Sequence, residues 1–374
     1  MSPLWDMFRV TVFGSDNGAS RTDTPAFDPA HDIPSLAGKA ILITGAAGDL
    51  GRQTAIDLIR HGKPELVYIA DLPRSEDEKR AVLDGIHHKV YGHEHSRDPA
   101  DDGTRVRYLD LDLGSFESVR QCARGFLDEN QRLDVLICNA GIIRMTPGTT
   151  ADGYEAHFGI NYLGHALLVR LLAPVLLRTA ERAPEAGPAA DVRIVLVSSE
   201  GHVFAPEGGV EFDAVKTDCA KMVCAFPKTH PKAEKKTDDS NPVQSYSTRY
   251  GQSKVALIGL MKNLSRQYPQ IKCVAIHPGR ILTGMARSLQ KESLLAWLTK
   301  PIAPLFCVPV ATGIRNHLWA ATSPEVVSGS YYEPVGVPGT LSAVANDEAF
   351  YKRLQDWTDE ALKGVDAPIQ ISSS

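Results

Sequence analysis

Tyr250 and Lys254 stand one helical turn apart in Tyr250-Gly-Gln-Ser-Lys254, at the head of a run in which Val255, Leu257, Leu260, Met261 and Leu264 recur at helical spacing. On a helix, residues i and i+4 share a face, so the phenol and the ammonium point the same way. A free tyrosine titrates near ~10 and exchanges protons poorly at neutral pH. A cation held beside it favours the phenolate, so the pair is expected to act as a general acid/base with a lowered phenol pKa. The same two residues on a solvated helix face would do no chemistry. What decides between these readings is the set of elements that must position them.

Ala40-Ile-Leu-Ile-Thr44 has the continuous apolar character of a strand buried on both faces. It runs into Gly45-Ala-Ala-Gly48-Asp-Leu-Gly51 and then into a helical pattern through Ala55, Leu58 and Ile59. Strand, glycine-rich turn and helix in that order form a dinucleotide site, with the backbone close to the pyrophosphate and the helix N-terminus facing it. A second strand, Leu66–Ala70, ends at Asp71, about 20 residues past Gly51, where a carboxylate is placed to accept from a ribose 2′-hydroxyl. A 2′-phosphate would be repelled there, so Asp71 argues for NAD over NADP.

Further strands are expected at Val106–Leu109, Leu133–Ile137, Val192–Val197 and Ile271–Ile276, with helices at Val119–Leu127 and Tyr154–Leu177. The alternation argues for an α/β fold, a doubly wound and mostly parallel sheet. Ligands gather at the carboxyl ends of such strands. The glycine turn, Asp71, Asn139, Ser199 and Pro278-Gly279 all fall at such ends, and their convergence favours the catalytic reading of Tyr250 and Lys254.

Composition bounds the alternatives. The chain has 374 residues, 43% hydrophobic and 23% charged, with a formal net charge of −5. That is an ordinary core-forming composition without a basic footprint for nucleic acid. Its six cysteines are irregularly spaced and suggest no disulfide framework, and Cys219 and Cys224 lack a second pair. No window has about 18 uninterrupted apolar residues, and Asp6 and Arg9 interrupt the only apolar patch near the N-terminus. A cytoplasmic protein without a transmembrane segment is expected. His87, His88, His93 and His95 lie close together without a partner motif, and read as part of a solvated helix and loop; no metal site is expected. Residues 1–35 read as an extended leader, 36–362 as the nucleotide-binding domain with a polar insertion at about 203–245, and 363–374 as a flexible tail.

Together these motifs resemble the short-chain dehydrogenase/reductase family from about Leu36 to about Leu362. The features that carry the likeness are Thr44-Gly45 with its turn, Asn139-Ala-Gly141, Asn161, Ser199, Tyr250-x-x-x-Lys254 and Pro278-Gly-Arg-Ile-Leu-Thr283. Phe27-Asp-Pro through Lys39, Asn161-Tyr-Leu-Gly-His165 and Leu318-Trp-Ala-Ala-Thr-Ser-Pro324 resemble the retinol-dehydrogenase-like branch and its fungal relatives. The resemblance implies a Rossmann fold and an NAD(P)-dependent oxidoreductase acting on a small-molecule secondary alcohol or ketone, lipophilic in this branch. Tyr250 would be the acid/base and Lys254 its cationic partner and ribose contact. Ser199 would hold the substrate oxygen, and Asn161 would complete a water-linked proton relay. Gly45, Gly48, Leu50 and Gly51 would cradle the cofactor. Asp71, Asp112, Asn139, Ala140, Gly141, Pro278, Gly279 and Thr283 would complete its site.

Three departures from the family pattern matter. Asp49 occupies a position where the family usually has glycine, which places a carboxylate near the pyrophosphate. Leu72 stands where NADP-preferring relatives often carry a basic residue, which again favours NAD. The connection from Ser199 to Tyr250 is long, and includes the polar stretch from Lys228 to Asp239, read as a mobile excursion whose apolar base near Phe204 and Phe212 borders the substrate cleft. Leu294–Phe306 reads as a helical lid or as core. Asp49 leaves open a rival function, a largely non-catalytic dinucleotide sensor. The oligomeric state also stays open, with a homo-oligomer among the options.

Overall fold

The computed structural model describes residues 27–92, 104–182, 191–220, 242–281 and 307–369. Its centre is set by the strands that the sequence makes apolar throughout. Strand β1 (Ala40–Thr44) is buried at every position, and β2 (Leu66–Asp71) at every position but its last. β3 (Arg105–Asp110) alternates exposed and half-buried residues, as an edge strand with arginines facing water does. β4 (Val135–Cys138), β5 (Arg193–Val197) and β6 (Lys272–Ile276) complete the buried set.

Two short strands, β7 (Tyr331–Glu333) and β8 (Val337–Pro338), extend the sheet to the order β3-β2-β1-β4-β5-β6-β7-β8. All neighbours are parallel except the last pair. Sequence pattern did not reveal β7 and β8, because strands of three and two residues carry no readable alternation.

The helices are α1 (Pro29–Asp32), α2 (Asp49–Asp57), α3 (Glu76–Tyr91), α4 (Phe116–Glu129), α5 (Gly164–Glu181), α6 (Pro242–Gln267), α7 (Val310–Gly313), α8 (Arg315–Thr322) and α9 (Glu348–Ala361). They divide between the two faces of the sheet. Apolar side chains of α4, α5, α6 and α9 build one core layer, and those of α2 and α8 with Ile86 of α3 build the other. This is the doubly wound α/β architecture expected from the alternation. Local signals agree with it: Ser75 and Glu78 form a reciprocal capping box at the start of α3, which satisfies two orphan amides.

A π-helical turn, Phe158–Leu163, leads into α5. Together they make a 24-residue helix apolar enough to cross a bilayer, yet 78% of its most apolar window is buried inside the protein. It is the central core helix of the α4–α9 layer.

Two domain boundaries need correction. Residues 27–35 are not leader, since Phe27 and Ile33 are buried in the α2–α8 layer and Asp28 caps α1. The tail expected from 363 is packed down as far as 369: Val365 and Ile369 lie on the core, Asp366 pairs with Arg170 at 2.8 Å, and Arg120 donates to the Val365 carbonyl. The first part of the 203–245 insertion is folded as well, with Val210, Val215 and Cys219 buried. There the Val215 carbonyl accepts from the Glu155 amide at 2.8 Å. The mechanism is the same in each case: a few well-spaced apolar residues in a polar stretch suffice to anchor it. Residues 228–239, all of Leu294–Phe306, Cys224, His93, His95 and Thr283 lie outside the described residues. His87 and His88 lie on α3.

Candidate active site

β1 and β4 are neighbours, yet the chain leaves β1 toward β2 and leaves β4 toward β5. Their carboxyl ends therefore open a crevice at the point where strand order reverses. The glycine turn fills one side of it. Gly45 has φ +65°, and a Cβ there would come within 2.9 Å of the Ala140 Cα, so backbone conformation and close approach both require glycine. A Cβ at Gly51 would lie 2.6 Å from the Gly45 carbonyl. Gly48 is different: it precedes α2 in extended backbone, and a Cβ there would meet only the Gly45 oxygen at 3.4 Å. It lines the crevice.

Thr44 and Asn139 lock β1 to β4 at this point. The Ala140 amide donates to Thr44 Oγ1 at 2.9 Å, and Asn139 Nδ2 donates to the Thr44 carbonyl at 2.8 Å. Asp71 braces the turn from the other side. Its carboxylate accepts from the Ala47 and Leu72 amides, both at 2.9 Å, a bracing role that its place at a strand end did not reveal. Arg74 lies 3.6 Å from Asp71, and its Nε donates to the Tyr108 hydroxyl at 3.1 Å.

A cavity of about 440 Å³ follows these residues. Gly45, Gly48, Asp49, Leu50, Asp71, Leu72, Asp112, Asn139, Ala140 and Gly141 line it. Asp112 holds its own loop by accepting from the Gly114 amide at 2.8 Å. Asn139 Oδ1 is buried without a partner among the described residues and faces this region. A dinucleotide fits such a cradle: glycines where a Cβ would intrude, the N-terminus of α2 for a pyrophosphate, and a carboxylate at the end of β2 for a ribose.

A second cavity of about 300 Å³ shares Leu50, Asn139 and Gly141 with the first. It brings together Ser199, Tyr250, Lys254, Pro278 and Gly279 from β5, α6 and β6, as their strand-end positions implied. Gly279 has φ +88°, the left-handed turn that carries the chain past the site. Lys254 Nζ donates to the Val197 carbonyl at 2.9 Å and lies 5.4 Å from the Tyr250 ring centroid. Ser199 stands beside the Tyr250 phenol and lowers its pKa, and its Oγ accepts from the Gly201 amide at 3.0 Å.

The electrostatics differ from the sequence expectation in sign. Burial pushes the Tyr250 phenol up to about 12, partly offset by Ser199, and the charge of Glu200 pushes the same way as burial. Burial likewise pushes Lys254 down to about 7. Desolvation opposes the charged form of each group and outweighs the attraction expected between ammonium and phenolate. Tyr250 keeps part of its side chain open to the cleft, where water tempers the rise. At neutral pH the phenol is protonated.

Asn161 is held on all sides. Its Oδ1 accepts from the Ile142 amide at 2.7 Å, and its Nδ2 donates to the Ile142 carbonyl and to Ser253 Oγ. Its backbone carbonyl accepts from His165 Nδ1 at 2.9 Å. The side chain is thus a clamp that fixes the loop after β4 against α6. A Cβ on Gly141 would lie 3.2 Å from Asn161 Oδ1 and 3.6 Å from Lys254 Nζ, so that glycine lets these groups converge.

Comparison with known proteins identifies the family. The short chain dehydrogenase family profile matches residues 39–223. An uncharacterized oxidoreductase of Schizosaccharomyces pombe is 34% identical, covering 90% of this chain and 88% of its own. The chain belongs to the short-chain dehydrogenase/reductase family. Within it, the human protein retinol dehydrogenase 14 is 31% identical over 88% of this chain and 87% of its own, which assigns the retinol-dehydrogenase-like branch. Two solved structures share the fold. A short chain dehydrogenase of Shigella flexneri complexed with NADP has a TM-score of 0.53 at 19% identity, covering 81% of this chain and 98% of that one. A 3-ketoacyl-(acyl-carrier-protein) reductase of Brucella melitensis complexed with NADH has a TM-score of 0.51 at 18% identity, with the same coverage of each chain. This member of the family is an NAD(P)-dependent oxidoreductase.

Several residues of the site escaped the sequence reading. Tyr246 lies one helical turn before Tyr250 and lines the second cavity, a position that i, i+4 spacing would have flagged. Glu200 and Arg280 directly follow Ser199 and Gly279, and line it too. His277 contributes a buried Nδ1 with no partner among the described residues. Phe204 borders the cleft as expected. Phe212 does not: its ring packs 5.7 Å from that of Trp357 on α9.

Proposed function

We propose that the protein interconverts a secondary alcohol and a ketone with an apolar body, using NADH in preference to NADPH, with Tyr250 as the proton-transfer group. The observation that carries this reading is the adjoining pair of cavities: one framed by the glycine turn and Asp71, the other by Ser199, Tyr250 and Lys254, with Leu50, Asn139 and Gly141 common to both. The bound nicotinamide supplies or accepts the hydride. The chain does the rest. Gly45, Gly48, Leu50, Gly51, Asp112 and the Asn139–Gly141 segment would hold the dinucleotide.

In the reducing direction Ser199 Oγ holds the carbonyl oxygen, and Tyr250 Oη gives it a proton. A phenol held above its ordinary value is protonated and ready for that step at neutral pH. Lys254, held near 7, can return a proton to the phenolate and steady its charge. Ile143, Phe204, Tyr246 and Ile281 favour an apolar substrate body. Asp71 and Leu72 at the wall of the cofactor cavity favour a ribose hydroxyl over a phosphate there. Turnover of NADH and NADPH over a panel of apolar ketones and their alcohols tests the reading. Absence of turnover with every ketone and alcohol under both cofactors would sink it.

A further inference from the structure

Glu200 and Arg280 stand outside the Ser-Tyr-Lys set, yet both line its cavity. They follow the ends of neighbouring parallel strands, β5 and β6. Arg280 Nε donates to Glu200 Oε1 at 3.1 Å, and each side chain keeps 18% of its surface exposed. His277, more than nine-tenths buried on the same wall, adds an Nδ1 with no partner among the described residues. Ile143, Phe204 and Tyr246 give the same cavity apolar lining. The cavity is thus amphipathic, and it is polar beside the point where Ser199 holds the reacting oxygen.

Resting on the oxidoreductase reading above, we propose that the Glu200–Arg280 pair selects substrates that carry a second, neutral hydrogen-bonding group, such as a hydroxyl, and rejects analogues with a carboxylate there. A guanidinium has five N–H donors and a carboxylate about four lone-pair sites, so a hydroxyl can join the pair without breaking it. A substrate carboxylate has to draw Arg280 away from Glu200 or share it with Glu200. That leaves one anion without its partner in a partly dry cavity, or brings two anions together, and both are costly. Glu200 already acts within this cavity: its charge pushes up both Tyr250 and His277. Selection of this kind works as much by repelling the wrong ligand as by holding the right one.

The test uses the full chain, the cofactor it turns over and two matched ketones, para-hydroxymethyl acetophenone and para-acetylbenzoate. Two ratios are measured, kcat/KM by turnover and Kd by calorimetry on the protein–cofactor complex. The wild type is expected to favour the hydroxymethyl ketone by about tenfold or more, the scale of a like-charge contact. Glu200→Gln should move both ratios toward the carboxylate by about tenfold, and Arg280→Gln should move them further away from it. Opposite signs in the two variants separate electrostatic selection from general damage, which lowers both ligands together. A wild-type preference for the carboxylate, shifts of the same sign in both variants, or shifts below twofold in both would overturn the proposal. If neither ketone is turned over but the binding ratios behave as stated, the oxidoreductase reading has failed for these ketones while the selection stands.

Discussion

His165 Nε2 lies 2.9 Å from Thr44 Oγ1, so the first turn of α5 is hydrogen-bonded to the last residue of β1, directly before the glycine turn. The tautomer follows from the partners. The Asn161 carbonyl can only accept, so Nδ1 carries the proton, and Nε2 accepts from the Thr44 hydroxyl. Thr44 Oγ1 in turn accepts from the Ala140 amide. One buried imidazole thereby ties together the loop after β1, the loop after β4 and the backbone of Asn161. His165→Phe keeps an aromatic ring but takes the imidazole from the Asn161 carbonyl and leaves the Thr44 hydroxyl only the long contact to the Ile137 carbonyl at 3.5 Å, a loss of about 1–3 kcal/mol for each group left unmade. Thermal unfolding should shift down by several degrees, and KM for the cofactor should rise more than kcat falls, because the link supports the cradle and touches no reacting atom. An unchanged melting temperature would refute the link.

Buried histidines also set the acid limit of stability. Burial pushes His165, His277 and His317 down to about 4. Between that value and the ordinary ~6.5 the unfolded chain binds protons that the folded chain does not, so stability must fall as pH falls through this window. Each group contributes a slope of roughly 1.4 kcal/mol per pH unit at its steepest. Melting temperature should be highest above about pH 6.5 and drop steeply toward pH 4. His317→Gln, at a residue that lines neither cavity, should flatten the slope by about one proton; an equally steep curve would remove His317 from the account.

Tyr250→Phe preserves the ring, its packing and its T-shaped contact with His157 at 6.1 Å. It removes the only proton on that side chain suited to the reaction. Turnover should fall by about 10²-fold or more, the scale of general acid–base catalysis, while cofactor binding stays close to wild type. Lys254→Met should lower turnover and weaken cofactor binding together if its ammonium serves the ribose as well as the phenol. Steady-state kinetics and cofactor titration on the two variants decide both points. Activity of the Phe variant within a few-fold of wild type would exclude Tyr250 as the acid.

The fold was legible because its central strands are apolar at nearly every position and because a glycine-rich turn and a helix follow the first of them. The site was legible at positions fixed by strand ends: Gly45, Asp71, Asn139, Ser199 and Gly279 need only the topology to be brought together. Three kinds of information lay outside the reach of pattern. Strands β7 and β8 are too short to show a period. The sign of the Tyr250 shift depends on how deeply both partners are buried, and their spacing carries no measure of that. The Asn161 side chain turns to Ile142, whereas the residue type alone fits either a relay or a clamp.

Cofactor choice is where local geometry gives the most definite sign. Asp71 spends its two oxygens on the Ala47 and Leu72 amides and still forms part of the cavity wall, with Leu72 beside it. A 2′-phosphate at this wall meets a carboxylate that the backbone holds in place. Arg74 is the near cation, 3.6 Å from Asp71, but its Nε is directed to the Tyr108 hydroxyl, which itself donates to the Leu72 carbonyl at 2.7 Å. A phosphate would have to recruit the Nη1 donors of Arg74 while standing beside the same carboxylate. Like charges brought together in a partly dry site cost several kcal/mol, and each ~1.4 kcal/mol is a factor of ten. We therefore expect kcat/KM to favour NADH over NADPH by about tenfold or more. Asp71→Ala should narrow that gap from both sides, by losing the acceptor for a ribose hydroxyl and removing the repulsion of a phosphate. It should also loosen the glycine turn, which rests on Asp71 through the Ala47 amide, so KM for both cofactors should rise. Side-by-side kinetics with the two cofactors settle the matter: a wild-type preference for NADPH would mean that Arg74 takes the phosphate, and Arg74→Ala would then abolish that preference.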